Sequence, residues 1–311
     1  MGNKLYYLTI NVTNRCNLSC AHCYASSGSS LEKDLSLPVI KKVVDDGKTL
    51  GLLYVLITGG EPLMRDDLEE LLSYLKSSGI TVFLATNGTL LNEKNIRFIK
   101  NSVDKINISL DGVSEVHDKI RAKSGLFEET VNKIKKLINY KIPVSVSFTA
   151  HDGNFGQIEK LADYFNKDSD LKNVHINLKR YLSVGRGVEN KIQLSKENYF
   201  KIIKIVEKLK NKKVNISFKD PFYSTSYSKG GGCFAGIHIL SIKNNGEVWI
   251  CTKLELPLGN INKTSLIDIW NNSEILKSLR NNSSEVVKGC RAAAYISSGN
   301  ILSKDPVTSG L

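Results

Sequence analysis

Two periodicities alternate along the first 182 residues. Lys105-Ile106-Asn107-Ile108-Ser109-Leu110 places apolar side chains at every second position, whereas Leu68-Glu69-Glu70-Leu71-Leu72-Ser73-Tyr74-Leu75 spaces them three and four apart. The first pattern predicts a strand and the second an amphipathic helix. On this reading strands span 5–12, 53–58, 81–86, 104–109, 142–149 and 173–181. Helices lie between them at 38–50, 66–79, 92–101, 127–140 and 155–167. Such alternation implies a parallel sheet with right-handed crossovers. The predicted fold class is therefore α/β, a partial (β/α)6 TIM-like barrel, with its chemistry at the C-terminal ends of the strands.

Four strand ends carry polar or glycine-rich loops. They are Cys16–Cys23, Thr58-Gly59-Gly60-Glu61-Pro62, Thr86-Asn87-Gly88 and Ser109-Leu110-Asp111-Gly112. The pattern changes after a helix at 196–210. Ser224–Gly232 reads as a loop or linker, and the segments 238–242 and 247–251 flank Asn244-Asn245-Gly246, a hairpin signal. Short helices at 265–271 and 273–280 follow, and Gly289–Tyr295 suits a last helical turn. The expected division is a core barrel over 1–215 and a small C-terminal extension over 216–311, built from a β-hairpin plus short helices.

The chemistry is concentrated in the cysteines. Cys16, Cys20 and Cys23 form a C-x3-C-x2-C cluster directly after the first strand, and Cys233, Cys251 and Cys290 are scattered over the last quarter. Such spacing does not suit a secreted disulfide scaffold and favours metal or catalysis. Three thiolates on one short loop can hold three irons of a [4Fe–4S] cube and leave the fourth iron open. A zinc site would need a fourth ligand, for which only His22 offers itself, awkwardly next to Cys23. The five histidines form no metal pair or triad, and Gly185-Arg186-Gly187 lacks the third glycine of a dinucleotide fingerprint. His175 reads as a core or pocket histidine.

Charge adds less. The formal net charge is +12, from 43 Lys and Arg against 31 Asp and Glu. It suits a lysine-rich surface, or attraction of an acidic partner. No basic stripe interleaved with aromatics points to nucleic acid. No apolar run is long enough to span a bilayer, and no signal-peptide core precedes the first polar cluster. A cytoplasmic location without membrane partners is expected.

The segment Asn14-Arg15-Cys16-Asn17-Leu18-Ser19-Cys20-Ala21-His22-Cys23-Tyr24 resembles the cluster loop of the radical S-adenosylmethionine (radical SAM) enzymes. Ile57-Thr58-Gly59-Gly60-Glu61-Pro62-Leu63 resembles that superfamily's second motif. The resemblance covers about residues 5–182. It implies a [4Fe–4S] cluster on Cys16, Cys20 and Cys23 whose open iron is chelated by SAM. One electron then cleaves SAM to a 5′-deoxyadenosyl radical, which abstracts a substrate hydrogen. It also implies cofactor contacts from Gly59, Gly60, Glu61, Pro62, Asn87 and Ser109, with Glu61 and nearby backbone fixing the SAM ammonium. Turn chemistry alone also explains Asn87-Gly88 and Asp111-Gly112. His22 is expected to be a spacer with some stacking role and Tyr24 to pack behind the site. Arg121 either matches a basic residue of the family or is a solvated helix-end charge.

The C-x12-G-x4-C spacing from Cys233 through Gly246 to Cys251 resembles the start of a SPASM or twitch extension, and Lys288–Tyr295 its closing segment. A full SPASM domain has more cysteines. Ser283–Lys288 contains none and none follows Asp305-Pro306. The resemblance therefore implies one auxiliary iron–sulfur cluster on Cys233, Cys251 and Cys290, with a fourth ligand that is non-cysteine, exogenous or absent.

The leading expectation is an oxidoreductase or maturase that modifies a ribosomally made peptide by cross-link, thioether or epimerisation. Because the first strand begins near Leu5, a separate peptide-recognition protein or direct docking would be required. A flavodoxin or ferredoxin is the expected electron donor. The alternative is tetrapyrrole, heme or other cofactor maturation, to which Ser183-Val184-Gly185-Arg186-Gly187 and the tail also bear resemblance. There, Arg and Lys would clamp substrate carboxylates. A sulfatase-type maturase and a non-catalytic iron–sulfur scaffold are further readings.

Overall fold

A computed structural model describes residues 4–28, 33–228, 231–286 and 288–308. Six parallel strands form where alternation predicts them: β1 (Tyr7–Asn11), β2 (Tyr54–Thr58), β3 (Thr81–Thr86), β4 (Lys105–Ser109), β5 (Val144–Ala150) and β6 (His175–Arg180). They pair in chain order, with Ile10 opposite Ile57, Ile57 opposite Leu84 and Ile106 opposite Val144. One face of every strand is apolar. Leu8, Ile10, Val55, Ile57, Val82 and Leu84 are almost wholly buried beneath the crossover helices. Full burial of such a side chain is worth about 1.5–3 kcal/mol, so this outer layer is the core of the molecule.

The helices start on side chains that satisfy free backbone N–H groups. Asn92 and Asn95 form a reciprocal capping box before the helix Glu93–Ser102, and the Ser195 hydroxyl accepts from the Asn198 N–H at the start of Lys196–Asn211. The other expected helices form at Leu37–Thr49, Leu68–Ser77, Leu126–Asn139 and Gln157–Lys167. Sequence periodicity missed the short helix Glu115–Arg121, which places Arg121 beside the strand ends.

After the sixth strand the chain departs from the expected pattern. A short β7 (Ile216–Phe218) adds to the β6 edge, Ile216 opposite Ile176. The sheet thus runs past residue 215, the expected end of the barrel. A helix, Pro221–Ser226, runs into the start of the expected linker, because Asp220 caps it and Pro221 suits its first turn. Lys229 and Gly230 of that linker lie outside the described residues. The hairpin forms as expected, β8 (Ile239–Ile242) against β9 (Glu247–Trp249), with Gly246 at φ 93° in the turn. β10 (Pro257–Asn260) pairs with β9 across a bulge.

The long-range connection was not legible. β8 pairs parallel with β1, Leu8 opposite Leu240, so the sheet order is β10-β9-β8-β1-β2-β3-β4-β5-β6-β7. The chain leaves the sheet at β7 and re-enters at the opposite edge. The extension therefore continues the barrel wall. Among the described residues no helix is long and apolar enough to cross a membrane.

Candidate active site

The cysteine loop leaves β1 and is clasped from two sides. On one side the end of β2 presses against its base. The Gly60 N–H donates to the Thr13 carbonyl at 2.7 Å and the Glu61 N–H to that of Arg15 at 2.9 Å. A Cβ at Gly59 would lie 2.4 Å from the Thr13 oxygen, and one at Gly60 2.2 Å from the Arg15 oxygen. The two glycines thus permit backbone to meet backbone. On the other side stands the Gly185-Arg186-Gly187 segment. Gly185, at φ 58°, approaches so closely that a Cβ would lie 2.4 Å from both the Cys23 and Tyr24 carbonyl oxygens. The Arg186 N–H donates to the Cys23 carbonyl at 3.0 Å and its guanidinium to the Cys20 carbonyl at 3.0 Å. What resembled a broken nucleotide fingerprint is a brace for the cysteine loop.

Cys16, Cys20 and Cys23 share the wall of one cavity of about 300 Å³. The inner face of the sheet lines the rest, and from β4 to β6 it is polar. Asn107, Ser109, Ser147 and Thr149 reach the cavity from β4 and β5, and Lys179 from β6. A closed barrel fills this space with branched apolar side chains; here the open barrel keeps it for a ligand.

Two of the sulfurs accept hydrogen bonds. The Asn87 amide stands 3.9 Å from Cys16 Sγ, and the Arg121 guanidinium 3.6 Å from Cys20 Sγ. Burial pushes the Cys16 thiol up to about 11, and burial also raises Cys20, with the Arg121 charge opposing it. As free thiols these two disfavour ionisation, whereas cluster ligation would draw the protons off. Among the described residues no three His, Cys, Asp or Glu side chains converge on a point close enough for one metal ion. A single zinc needs that convergence; thiolates spaced around the corners of a cube do not. The donor set fits a cluster.

Arg121 is not a solvated helix-end charge. Its side chain is 11% exposed, and it pairs with Asp111, which is wholly buried, through Nε at 2.7 Å and through Nη2. Burial alone would raise Asp111, but Arg121, then His22 and His117, outweigh it and hold the carboxyl down at about 2. Asp111 Oδ1 also accepts from the Thr149 N–H at 2.8 Å. Behind it, His117 Nδ1 accepts from the Asp111 N–H at 3.1 Å, which requires neutral imidazole. Burial pushes both His22 and His117 down to about 4. His22 lines the cavity with its Nε2 3.7 Å from Asp111 Oδ2. Tyr24 also lines the cavity, and its hydroxyl donates to Asn11 at 3.3 Å.

The expected cofactor-contact residues divide. Gly59, Gly60, Asn87 and Ser109 line the cavity. Glu61 and Pro62 do not face it. Glu61 is wholly buried and its carboxylate accepts from the Leu63 N–H, the Thr86 hydroxyl and the Asn87 N–H at 3.1, 2.7 and 2.8 Å. It straps β2 to β3 and holds Asn87 in place. Pro62 opens the 3₁₀ turn Pro62–Met64. His175 sits at the opposite end of β6, away from the cavity lining.

Three distant segments form the second cysteine group. Cys233 precedes the hairpin, Cys251 follows it and Cys290 stands immediately before the helix Arg291–Ser298. Burial raises Cys251 to about 12, and the nearby Cys290 and Cys233 push the same way. Cys233, at about 11, is likewise raised by burial and then by Cys290, and it accepts a backbone hydrogen bond from Arg291. The three thiols are therefore near enough for their charges to interact. Their frame is a buried ion network. Arg180 Nη1 and Nη2 donate to Asp305 at 3.2 and 2.5 Å, Arg180 Nε stands 2.9 Å from Asp220, and the Cys290 N–H donates to Asp305 at 2.8 Å. Asp305 is fully engaged there.

Sequence reasoning missed the polar inner face. Ser109, Ser147 and Asn177 share one register row, and Thr149 stands opposite Lys179. The signal was present as polar residues at every second position of β4, β5 and β6. Lys253, on the loop after Cys251, enters the same cavity from the extension.

Known proteins match this architecture. Residues 10–165 match the Radical SAM superfamily, and residues 233–292 the SPASM iron–sulfur cluster-binding domain. The AdoMet-dependent heme synthase of Methanosarcina barkeri is 29% identical over 98% of this chain and 97% of its own length. The antilisterial bacteriocin subtilosin biosynthesis protein AlbA of Bacillus subtilis is 31% identical over 87% of this chain and 60% of its own. Among solved structures, Streptococcus suis SuiB bound to precursor peptide SuiA shares the fold, with a TM-score of 0.79 at 16% identity over 99% of this chain and 76% of that one. The cofactors follow from the two domains: a [4Fe–4S] cluster with SAM in the barrel and an auxiliary iron–sulfur cluster in the extension. The chain belongs to the radical SAM superfamily.

Proposed function

We propose that this enzyme abstracts hydrogen from a side chain of a carboxylate-bearing tetrapyrrole in heme or related cofactor maturation. The observation that carries this reading is the end-to-end match to an AdoMet-dependent heme synthase, 98% of this chain against 97% of that one. Two further heme synthases match over 95% and 96% of this chain. A cationic cavity is consistent with an anionic substrate.

Cys16, Cys20 and Cys23 would hold the first cluster, with SAM on its open iron. When bound, this pair supplies a 5′-deoxyadenosyl radical. The protein's own part is placement and shielding. Asn87 and Arg121 donate toward the thiolates and tune them. Asp111 aims Arg121. Glu61 aims Asn87. Gly59 and Gly60 keep the loop base rigid, and the enclosing strands exclude water. Cys233, Cys251 and Cys290 would hold the auxiliary cluster in the extension, next to the loop that brings Lys253 into the cavity.

A second reading, peptide modification, is favoured by the 31% identity to AlbA. AlbA is longer, so that match leaves 40% of its length unpaired with this chain. One experiment separates the two. Anaerobically reconstituted enzyme is incubated with SAM, reductant and either a propionate-bearing iron porphyrin or short peptides encoded beside its gene. The expected result is 5′-deoxyadenosine together with a mass change in the porphyrin. A mass change in a peptide alone selects the second reading, and no 5′-deoxyadenosine at all overturns both.

A further inference from the structure

We propose that Lys179 and Lys253 form a subsite that binds a carboxylate of the substrate, on the cavity wall between the two cysteine groups. The inference deepens the proposed function and rests on it for the identity of the substrate. Four cations stand around this cavity and its back wall, and they differ in what they touch. Arg121 is paired with Asp111 and Cys20, and Arg180 with Asp220 and Asp305. Lys179 and Lys253 have no carboxylate partner among the described residues, and both line the cavity. Lys253 Nζ donates once, to the backbone carbonyl of Arg180 at 3.2 Å. Lys179 has no hydrogen-bond partner among the described residues.

The two come from different elements. Lys179 projects from β6, opposite Thr149 on β5, and Lys253 from the loop that follows Cys251. Lys253 is close enough for its charge to disfavour that of Lys179. Burial and then Lys253 push Lys179 down to about 8. Two like charges in a shielded cavity are costly unless a ligand neutralises them. A carboxylate does so, with charge-assisted hydrogen bonds from both ammonium groups. Asp111 cannot serve, because Arg121 occupies it. The position matters for source: Lys253 brings the subsite to the extension side of the cavity, whereas Arg121 is held at Cys20 of the first cysteine loop. We therefore assign the carboxylate to substrate and not to the methionine moiety of SAM.

The test uses reconstituted holoenzyme without oxygen. Binding of a propionate-bearing iron porphyrin is titrated by its absorbance, with wild type, Lys179→Met, Lys253→Met and Lys179→Arg. The porphyrin tetramethyl ester is titrated in parallel, and SAM affinity is measured separately. We expect each Met variant to weaken porphyrin binding by about tenfold or more, the loss of a charge-assisted hydrogen bond. Lys179→Arg should recover most of it, and the ester should bind all four proteins alike. Equal weakening for acid and ester, or weakened SAM affinity with porphyrin binding intact, would overturn the assignment. Should wild type fail to bind the porphyrin, the tetrapyrrole reading falls by itself. The subsite is then decided by glutarate: protection of Lys179 from acylation, read by mass spectrometry, upholds it, and no protection overturns it.

Discussion

The two cysteine groups hold three thiols each, yet they are made differently. The first lies within eight residues of one loop, Cys16 to Cys23, and its geometry follows from local chain plus backbone clasps by Gly60 and Gly185. The second is gathered from three segments across the extension, and its geometry follows from the buried Arg180–Asp220–Asp305 network and from β8 pairing with β1. A local site survives damage elsewhere. An assembled one depends on every strut.

The largest test of that difference exchanges single thiols. Cys20→Ala should abolish 5′-deoxyadenosine formation, whereas Cys290→Ala should strip iron from the extension and leave SAM cleavage measurable. Iron and sulfide counts in Cys16/Cys20/Cys23→Ala protein should stay well above zero; a metal-free triple variant would remove the second site from the account.

Next comes the frame of the second site. Asp305→Ala leaves Arg180 with one buried partner and the Cys290 N–H with none. Breaking a buried pair costs about 3–5 kcal/mol. Denaturant titration should show a loss of that size, with auxiliary iron released before barrel iron. Equal release from both sites would erase the distinction drawn here.

The smallest effect sharpens the first site. His117 is 1% exposed, accepts from the Asp111 N–H and is held at about 4 in the folded chain. Its folded value lies below the unfolded value of about 6.5. The unfolded chain therefore binds the extra proton first, and stability falls as pH drops from about 6.5 toward 4, by on the order of 3 kcal/mol. His117→Gln should flatten that part of the pH–stability curve. Asp111 acts lower: its depressed value keeps its contribution above about pH 4 and forfeits it toward pH 2.

Much of the fold is legible in the sequence. The six core strands and their helices follow from periodicity because each element must bury one face. The Asn245-Gly246 turn specifies the hairpin because φ is positive at Gly246. The short segments failed for a physical reason. β7 has three residues and the helix Pro221–Ser226 six, too few for a period to emerge from the noise of composition. Arg121 was ambiguous because nothing local reveals that Asp111, ten residues earlier, is buried with it.

The chain on its own specified a barrel of alternating elements, two sets of three thiols and the chemistry that such thiols serve. These depend on near neighbours, on spacing and on residue type, all of which a linear text preserves. Folding alone decided that β8 would continue the wall beside β1, that Gly185–Arg186 would brace the cysteine loop, and that Lys179 and Lys253 would line one cavity. Those outcomes join residues far apart in the chain, and their partners are chosen by the packing of the whole sheet.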